Sequence, residues 1–435
     1  MSNELIGLLG IIVLFILLAC RLWIGSAMAL VGFLGILVMR NGVQAMAVLA
    51  SQPFGTQNNY VMTVVPMFVL MGLVVSRTNI GSGMFRCMNA WIGRFKGGLA
   101  SATVLASGLL GAITGSHMAG TIIMSKIALP EMKRYDYDEG LACGSIAGGA
   151  PLAIIIPPSL PMIMYGIITE ENIGALFIAG IVPGVILMIV YIIIISQWVC
   201  RRDPTKAPPS PRTTWGEKFK SIVGLIPMII LFVLVLGGIY AGWFTTTEAG
   251  AIGAFGAILI GFVTKQLNFK KMWACIIDSV KLTGTIAIML IGTNIFIYFM
   301  SMSKIPFFLS NLVTSMNVSP TVVIIVIALV YIVLGMFMPD NPMVVLTIPI
   351  LYPIVSSLGI DGIWFGIFVV FMMALGSITP PVGMVVYLLS GLTKIPVNKI
   401  FKGVLPFIIG MVLVIVLLVI FPDIATFLPG LMAKG

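Results

Sequence analysis

Two short polar stretches decide the fold of this chain: Ala112-Ile-Thr-Gly-Ser-His117 and Gly335-Met-Phe-Met-Pro-Asp-Asn-Pro342. Each interrupts an apolar run, Gly98–Pro130 or Pro320–Pro353, that is too long for one span, since a membrane helix needs about 20 residues. Broken backbone in hydrocarbon leaves amide groups unpaired, so such breaks persist only where protein or a watery cavity satisfies them. We therefore predict two re-entrant helical hairpins with tips near the middle of a bilayer.

Two further apolar runs, 140–168 and 362–389, each contain a double proline, Pro157-Pro158 and Pro380-Pro381. Proline lacks an N–H and clashes with the preceding turn, so both runs are predicted to be broken helices. One separation, 223 positions, relates three sets of matched residues: the two double prolines, Pro130 with Pro353, and Asp138 with Asp361. A constant separation across such rare features indicates an internal duplication.

Composition places the chain in a membrane. Of its 435 residues, 60% are hydrophobic and 9% are charged, whereas soluble domains carry about 25% charged residues. The net charge of +10 comes from Lys and Arg scattered among apolar segments, which is typical of topology signals and not of a nucleic-acid-binding face. Met1–Glu4 lacks the basic region of a signal peptide, so we expect the first apolar run to remain as a span.

Eight other apolar runs have the length of full spans: Leu5–Cys20, Trp23–Met39, Val61–Val75, Asn172–Trp198, Ile222–Ala241, Glu248–Val263, Ile276–Met300 and Phe401–Phe421. Placing the ends of the first hairpin in the cytoplasm puts 19 of the 24 Lys and Arg residues on that side, in line with the positive-inside rule. The exceptions are Arg40, Lys126, Lys281, Lys304 and Lys434. Both termini and the Glu170-Glu171 loop then lie outside, and the two halves are inverted.

Little in the sequence supports an enzyme. The five cysteines are far apart without a CxxC pair, His117 is the single histidine, and no HExxH motif or nucleotide-binding loop occurs. These features argue against catalysis of the soluble type, a disulfide framework, a cysteine metal site and an organic cofactor.

The breaks themselves predict two cation sites, because unwound carbonyls of broken helices bind coupling ions while helix N-termini face anions. The carbonyls freed just upstream of the prolines belong to Ala153, Ile156, Gly376 and Thr379. The hydroxyls of Thr114, Ser116 and Thr379 complete two oxygen-rich sets suited to a hard monovalent cation. An isolated proline kink is more often a packing feature, but four breaks in matched positions favour a functional role.

For the anion, contacts are predicted from Gly115, Ser159, Asp340 and Thr379, which lie at the breaks. An intramembrane carboxylate is a functional hypothesis by default, so Asp340 is a candidate site residue. His117 fits a structural role and a functional role equally well. Glu248, after Thr245-Thr-Thr247, is predicted to act as an N-terminal helix charge.

Six segments together resemble the large membrane subunit of tripartite ATP-independent periplasmic (TRAP) transporters. They are Gly111-Ala-Ile-Thr-Gly-Ser116, Ala128-Leu-Pro-Glu-Met132, Ile156-Pro-Pro-Ser159 with Tyr165-Gly166, Thr247-Glu-Ala249, Gly335-Met-Phe337 with Asp340, and Ile378-Thr-Pro-Pro-Val-Gly383. Each motif alone is weak, but their order and spacing are specific. This chain departs from the family pattern at three places. It has Thr114 where the family often has serine, and Ala153 where the family often has glycine. The pair His117-Met118 beside the first tip is unusual for the family and bears on which anion is accepted.

The resemblance implies an all-α, sodium-driven, elevator-type importer of the ion-transporter superfamily in a bacterial inner membrane. The implied substrate is a small organic anion: a dicarboxylate, a sugar acid such as sialic acid, or a sulfonate. The implied partners are a small membrane subunit of the DctQ type and a periplasmic substrate-binding protein. The family's sodium sites carry over to Thr114, Ser116, Ala153, Ile156 and Pro158, and to their counterparts Gly335, Phe337, Gly376, Thr379 and Pro381.

On this basis the chain divides into scaffold and transport segments. Residues 1–97 and 221–318 supply scaffold spans and an arm in each repeat, 200–220 form a cytoplasmic linker, and 401–435 hold the C-terminal span. The transport segments are 98–199, with hairpin 98–130 and broken helix 139–168, and 319–400, with hairpin 320–355 and broken helix 362–390. The alternatives are a stand-alone sodium/dicarboxylate-type permease or anion channel, and an intramembrane enzyme, which the lack of paired acids disfavours.

Overall fold

Helices account for all regular secondary structure in the part of the chain that the computed structural model describes, residues 2–209, 213–315 and 319–432. Arg212 and Lys434, which enter the charge count above, lie outside those ranges. Within them, six helices are long and apolar enough to cross a membrane, or eight if two bent pairs each count as one span. The six are Glu139–Thr169, Ile173–Val199, Thr246–Val263, Phe269–Ser303, Pro320–Phe337 and Val397–Ile420; the bent pairs are Gly42–Gln57 with Tyr60–Ser76 and Trp215–Ile222 with Ile226–Tyr240.

The predicted spans coincide with helices to within a few residues, except at the start of helix Phe269–Ser303. Shorter helices such as Gly42–Gln57, Ile80–Ile92 and Ile305–Ser315 were not predicted. Helix Gly42–Gln57, capped by the Asn41 side chain, was not predicted, because its sequence is too polar to be distinguished by hydropathy. Helix Phe269–Ser303 is 35 residues long and begins well before the predicted Ile276, because the Asn268 cap starts the helix in a charged segment that hydropathy excludes.

Both interrupted stretches form pairs of helices. The first pair, Gly98–Thr114 and His117–Arg134, turns at Gly115, whose φ of 59° suits glycine, and at Ser116, whose hydroxyl caps the second helix. The second pair, Pro320–Phe337 and Asp340–Ser357, is separated by Met338 and Pro339. Their second helices continue four and two residues past the predicted ends at 130 and 355. Below, these turns are called tip 1 (residues 114–117) and tip 2 (residues 338–341).

Both double prolines break helices, as predicted. The first broken helix comprises Glu139–Gly149, Leu152–Ile155 and Leu160–Thr169, and the second comprises Gly362–Ile378 and Met384–Thr393. Pro157-Pro158 and Pro380-Pro381 are both joined by cis peptide bonds, and Asp138 and Asp361 cap their helices through the same side-chain bond. The extra break in the first half falls at Pro151, whose counterpart 223 positions later is Ala374.

In each half the first helix of the pair crosses the broken helix through small residues. A Cβ added to Gly111 would lie 2.2 Å from the Cα of Ala153, and one added to Gly335 would lie 2.9 Å from the Cα of Gly376. These backbone-to-backbone contacts are near-equivalent in the repeat, and in the first half Gly115 of tip 1 also lies beside Pro158. The predicted role of Glu248 is confirmed: it forms a capping box with Thr245 at the start of Thr246–Val263.

Candidate substrate and cation site

The two tips meet at one cavity of about 230 Å³. Its remaining wall comes from the start of helix Leu160–Thr169, from Leu282 and from one face of helix Val64–Ser76. The lining residues are Val69, Gly72, Leu73, Ser76, Thr114, Gly115, Ser116, His117, Met118, Ala119, Leu160, Pro161, Leu282, Pro339, Asp340, Asn341 and Pro342. Residues from both halves thus build a single central cavity.

Three helices begin at this cavity: His117–Arg134, Asp340–Ser357 and Leu160–Thr169. The first N–H groups of a helix have no acceptor within it, and the N-terminal end carries roughly half a positive charge. Three such ends around one cavity favour an anion there.

A histidine–aspartate contact joins the tips. The Nδ1 atom of His117 lies 2.7 Å from Oδ2 of Asp340, and the side chains are only 4% and 10% exposed. The contact is close without being aligned as a hydrogen bond, and Nε2 of His117 has no hydrogen-bond partner among the described residues. Residues 223 positions apart, one from each repeat, are therefore in direct contact at the cavity wall.

Buried oxygens without partners mark the surroundings of tip 1. The hydroxyls of Thr114 and Ser159 and the amide oxygen of Asn341 accept or donate no hydrogen bond within the described part of the chain. The carbonyl oxygen of Pro158 lies beside Gly115, because a Cβ added to that glycine would lie 3.0 Å from it. A buried polar group left unpaired costs about 1–3 kcal/mol, so such a group in a folded protein calls for an explanation such as a bound ion.

The predicted cation residues of the first half are largely enclosed. Ala153 lies under Gly111, and Ile156 donates its N–H to Leu152. Ser116 is half-buried, and its hydroxyl accepts the N–H of Ala119 at 3.4 Å, so it serves as a helix cap. The structure therefore brings Thr114, Pro158 and Ser159 to the same break, while the Ser116 hydroxyl is already engaged.

The predicted residues of the second half are more open. Gly335 and Gly376 are in contact, but Phe337 is 61% exposed and Pro381 is also exposed. The Thr379 hydroxyl donates to the carbonyl of Leu375 at 2.6 Å. The two sets of residues thus match in sequence and differ in enclosure.

Of the four predicted anion contacts, Gly115 and Asp340 line the central cavity, whereas Ser159 and Thr379 do not. Sequence reasoning missed Asn341, Leu282 and the face of helix Val64–Ser76. Asn341 was within the quoted tip and carried a visible signal. Gly72 carried no such signal in the sequence, because its contact partner is distant along the chain. A Cβ added to Gly72 would lie 2.8 Å from the carbonyl oxygen of Thr114.

The structure forms no cluster of three His, Cys, Asp or Glu side chains within the described residues. The cation donors predicted from the sequence are hydroxyl and carbonyl oxygens, which suit a hard cation better than a transition metal.

Comparison with known proteins gives consistent matches. The family model described as "Tripartite ATP-independent periplasmic transporter, DctM component" matches residues 11–424. The C4-dicarboxylate TRAP transporter large permease protein DctM of Pseudomonas aeruginosa is 32% identical over 383 residues, covering 88% of this chain and 89% of that protein. The ectoine permease TeaC of Halomonas elongata is 31% identical over 405 residues (93% and 94%), and the sialic acid permease SiaM of Vibrio cholerae is 29% identical over 383 (88% and 89%).

Two solved transporter structures share the fold. The YdaH transporter of Alcanivorax borkumensis aligns with a TM-score of 0.54 at 13% identity, covering 88% of this chain and 89% of that chain. MtrF of Neisseria gonorrhoeae aligns with a TM-score of 0.57 at 10% identity, covering 87% and 84%. At this identity the likeness concerns the fold alone.

Proposed function

The chain belongs to the DctM component family of tripartite ATP-independent periplasmic transporters, and from that premise we propose that it is the membrane carrier subunit of a sodium-coupled importer of a small organic anion. The observation that carries the proposal is the convergence of both tips and three helix N-termini on one cavity. The relatives' names include a dicarboxylate, sialic acid and ectoine. Their common property is small size, and a 230 Å³ cavity is below the roughly 300–1,000 Å³ of sites for drug-sized ligands.

The anion is proposed to lie between the tips, where first-turn N–H groups and the Asn341 side chain are available. Gly115 and Asp340 face this cavity and are retained as substrate residues; Ser159 is reassigned to the neighbouring cation set. Thr379 is retained as a proposed anion contact in a second conformation, in which the break at Pro380-Pro381 closes over the anion. The small size of the cavity favours a dicarboxylate over the larger sugar acids.

Sodium is proposed to bind at the first break, to the hydroxyls of Thr114 and Ser159 and the carbonyl of Pro158. The two hydroxyls are buried and unpartnered, so a bound cation would satisfy oxygens that otherwise carry a desolvation cost. A bound cation beside the cavity would also favour the anion electrostatically. The second set, Gly335, Phe337, Gly376, Thr379 and Pro381, is proposed as an equivalent site that closes when the substrate is enclosed.

The transport cycle is proposed to be of the elevator type. The helix pairs act as re-entrant hairpins of inverted repeats and move with the broken helices against the outer spans. In this proposal the chain lies in a bacterial inner membrane with both termini in the periplasm. A small membrane subunit supports it, and a periplasmic binding protein delivers the anion.

Reconstituted uptake tests the proposal. Proteoliposomes with this chain, the small subunit and the binding protein should accumulate the solute that stabilises the binding protein in a thermal-shift screen. Accumulation should require an inward sodium gradient. Uptake indifferent to that gradient would refute sodium coupling, and full activity of the isolated chain would favour the stand-alone permease.

Thr114→Val is expected to raise the sodium concentration needed for half-maximal uptake by tenfold or more. Valine keeps the volume and removes an oxygen that, if it binds a cation, contributes about 1.5–3 kcal/mol as a charge-assisted partner. The control is Thr103→Val on the same helix, where the residue is also buried but its hydroxyl already donates to the carbonyl of Leu99 at 2.8 Å. Equal sodium titrations for wild type and Thr114→Val, or equal shifts in both variants, would remove Thr114 from the site.

A further inference from the structure

A second cavity, of about 340 Å³, shares no lining residue with the cavity between the tips. It is bounded by the start of the first broken helix, the end of helix Ile173–Val199, the segment Asp203–Lys206 and the start of helix Val397–Ile420. We call it the lysine pocket, and its lining residues are Asp138, Gly140, Leu141, Trp198, Val199, Asp203, Lys206, Lys399, Lys402, Gly403 and Pro406. The segments that meet here all belong to the face that the positive-inside count assigns to the cytoplasm.

The lysine pocket carries an excess of available positive charge. Its lining holds three lysines and two acids, a net charge of +1. Asp138 accepts the N–H of Leu141, and Asp203 accepts both the N–H and the hydroxyl of Thr205, bonds that orient these carboxylates without removing their charge. Lys206 lies 3.7 Å from Asp203, and Lys402 has no ion-pair partner in the described ranges.

One further carboxylate, Glu139, is shared by two cations. Lys399 donates to it at 2.8 Å and Lys133 approaches it at 3.5 Å. The lysines of the pocket are exposed, so they retain donors that can turn toward a ligand. A ligand with negative charge and several acceptor oxygens would complement this arrangement.

The other wall of the lysine pocket is apolar. Leu141, Trp198, Val199 and Pro406 supply it, near the ends of three helices that are long and apolar enough to span a membrane. Tryptophan and lysine at span ends are typical of the membrane–water interface. The pocket therefore combines a cationic side with an apolar side at the depth where lipid headgroups lie.

We propose that the lysine pocket binds the phosphate headgroup of an anionic phospholipid, with Lys206, Lys399 and Lys402 around the phosphate and the lipid chains against the apolar wall. Basic pockets between spanning helices on the cytoplasmic side bind such headgroups. Free inorganic phosphate would satisfy the lysines alone, whereas a lipid also covers the partly exposed Trp198 and Pro406. The bound lipid would contact the first broken helix, the segment Asp203–Lys206 and helix Val397–Ile420. It is a different ligand from the transported solute.

The test measures lipid binding to the purified carrier by thermal unfolding in detergent. Phosphatidylglycerol is expected to raise the unfolding temperature, whereas phosphatidylcholine and inorganic phosphate at matched concentrations leave it unchanged. Lys402→Gln should weaken the response to phosphatidylglycerol roughly fivefold in half-maximal concentration. The triple variant K206Q/K399Q/K402Q should abolish it. Lys402 has no ion pair to lose, so its variant is expected to fold.

The matched control removes the same charge from the same predicted face. K265Q/K270Q/K271Q should retain the wild-type response, because those lysines lie outside the pocket. An equal loss in this control would mean a general charge effect and would overturn the site. A response to inorganic phosphate equal to that with phosphatidylglycerol would overturn the lipid assignment. The lipid site would also be overturned if phosphatidylcholine stabilised the wild type as much as phosphatidylglycerol does. The same holds if Lys402→Gln needed no more phosphatidylglycerol than the wild type for half-maximal stabilisation.

Discussion

Gly376→Val is expected to abolish uptake while Gly391→Ala, in the same broken helix, leaves it intact. A Cβ on Gly376 would lie 2.6 Å from the Cα of Gly335, a distance at which something must shift, and the atom it meets is backbone. Overpacking costs typically 1–3 kcal/mol and more where nothing yields. The shift would carry tip 2, with Asp340, away from the cavity, and a displacement of about 1 Å at a binding site can cost on the order of 100-fold in rate.

The measurement is initial uptake at saturating sodium, with thermal unfolding in parallel. Gly391 has nothing within 4 Å of its added Cβ, so its alanine variant tests glycine replacement without the clash. Gly111→Val should behave like Gly376→Val, because Gly111 meets Ala153 in the equivalent crossing. Normal uptake by Gly376→Val would show that the crossing does not position the tip.

Removing one member of the His117–Asp340 contact is expected to destabilise the protein more than removing both. Leaving a buried polar group without its partner costs about 1–3 kcal/mol, and more for a charged group. Asp340 is 10% exposed at its side chain, so His117→Gln leaves a carboxylate with little solvent. In His117→Gln/Asp340→Asn that carboxylate is gone, and part of the stability should return.

A double-mutant cycle on the unfolding free energy measures this coupling. The control cycle uses Lys399→Gln and Glu139→Gln, a pair of similar separation at 2.8 Å whose side chains are 46% and 37% exposed. Solvent screens such a pair, so its coupling should be far smaller. Additive effects of the His117 and Asp340 variants would show that the two tips are not coupled through this contact.

Prediction from sequence succeeded where a local property decides the structure. Proline at 157–158 and 380–381 removes N–H donors, so helix breaks there follow from the residues themselves. The capping role of Glu248 depends on Thr245, three residues away. The lengths of apolar runs gave most spans to within a few residues, whereas shorter or more polar helices such as Gly42–Gln57, Ile80–Ile92 and Ile305–Ser315 were not predicted.

The sequence by itself determined that the chain is a membrane protein of two matched halves with four breaks, because apolar length, proline chemistry and capping act over a few residues. Tertiary structure alone decided that His117 meets Asp340 and that Gly335 meets Gly376. It also decided that the first set of cation residues is enclosed while the second is open. These contacts join segments up to 223 positions apart, and they depend on how helices from both halves pack, which no local pattern encodes.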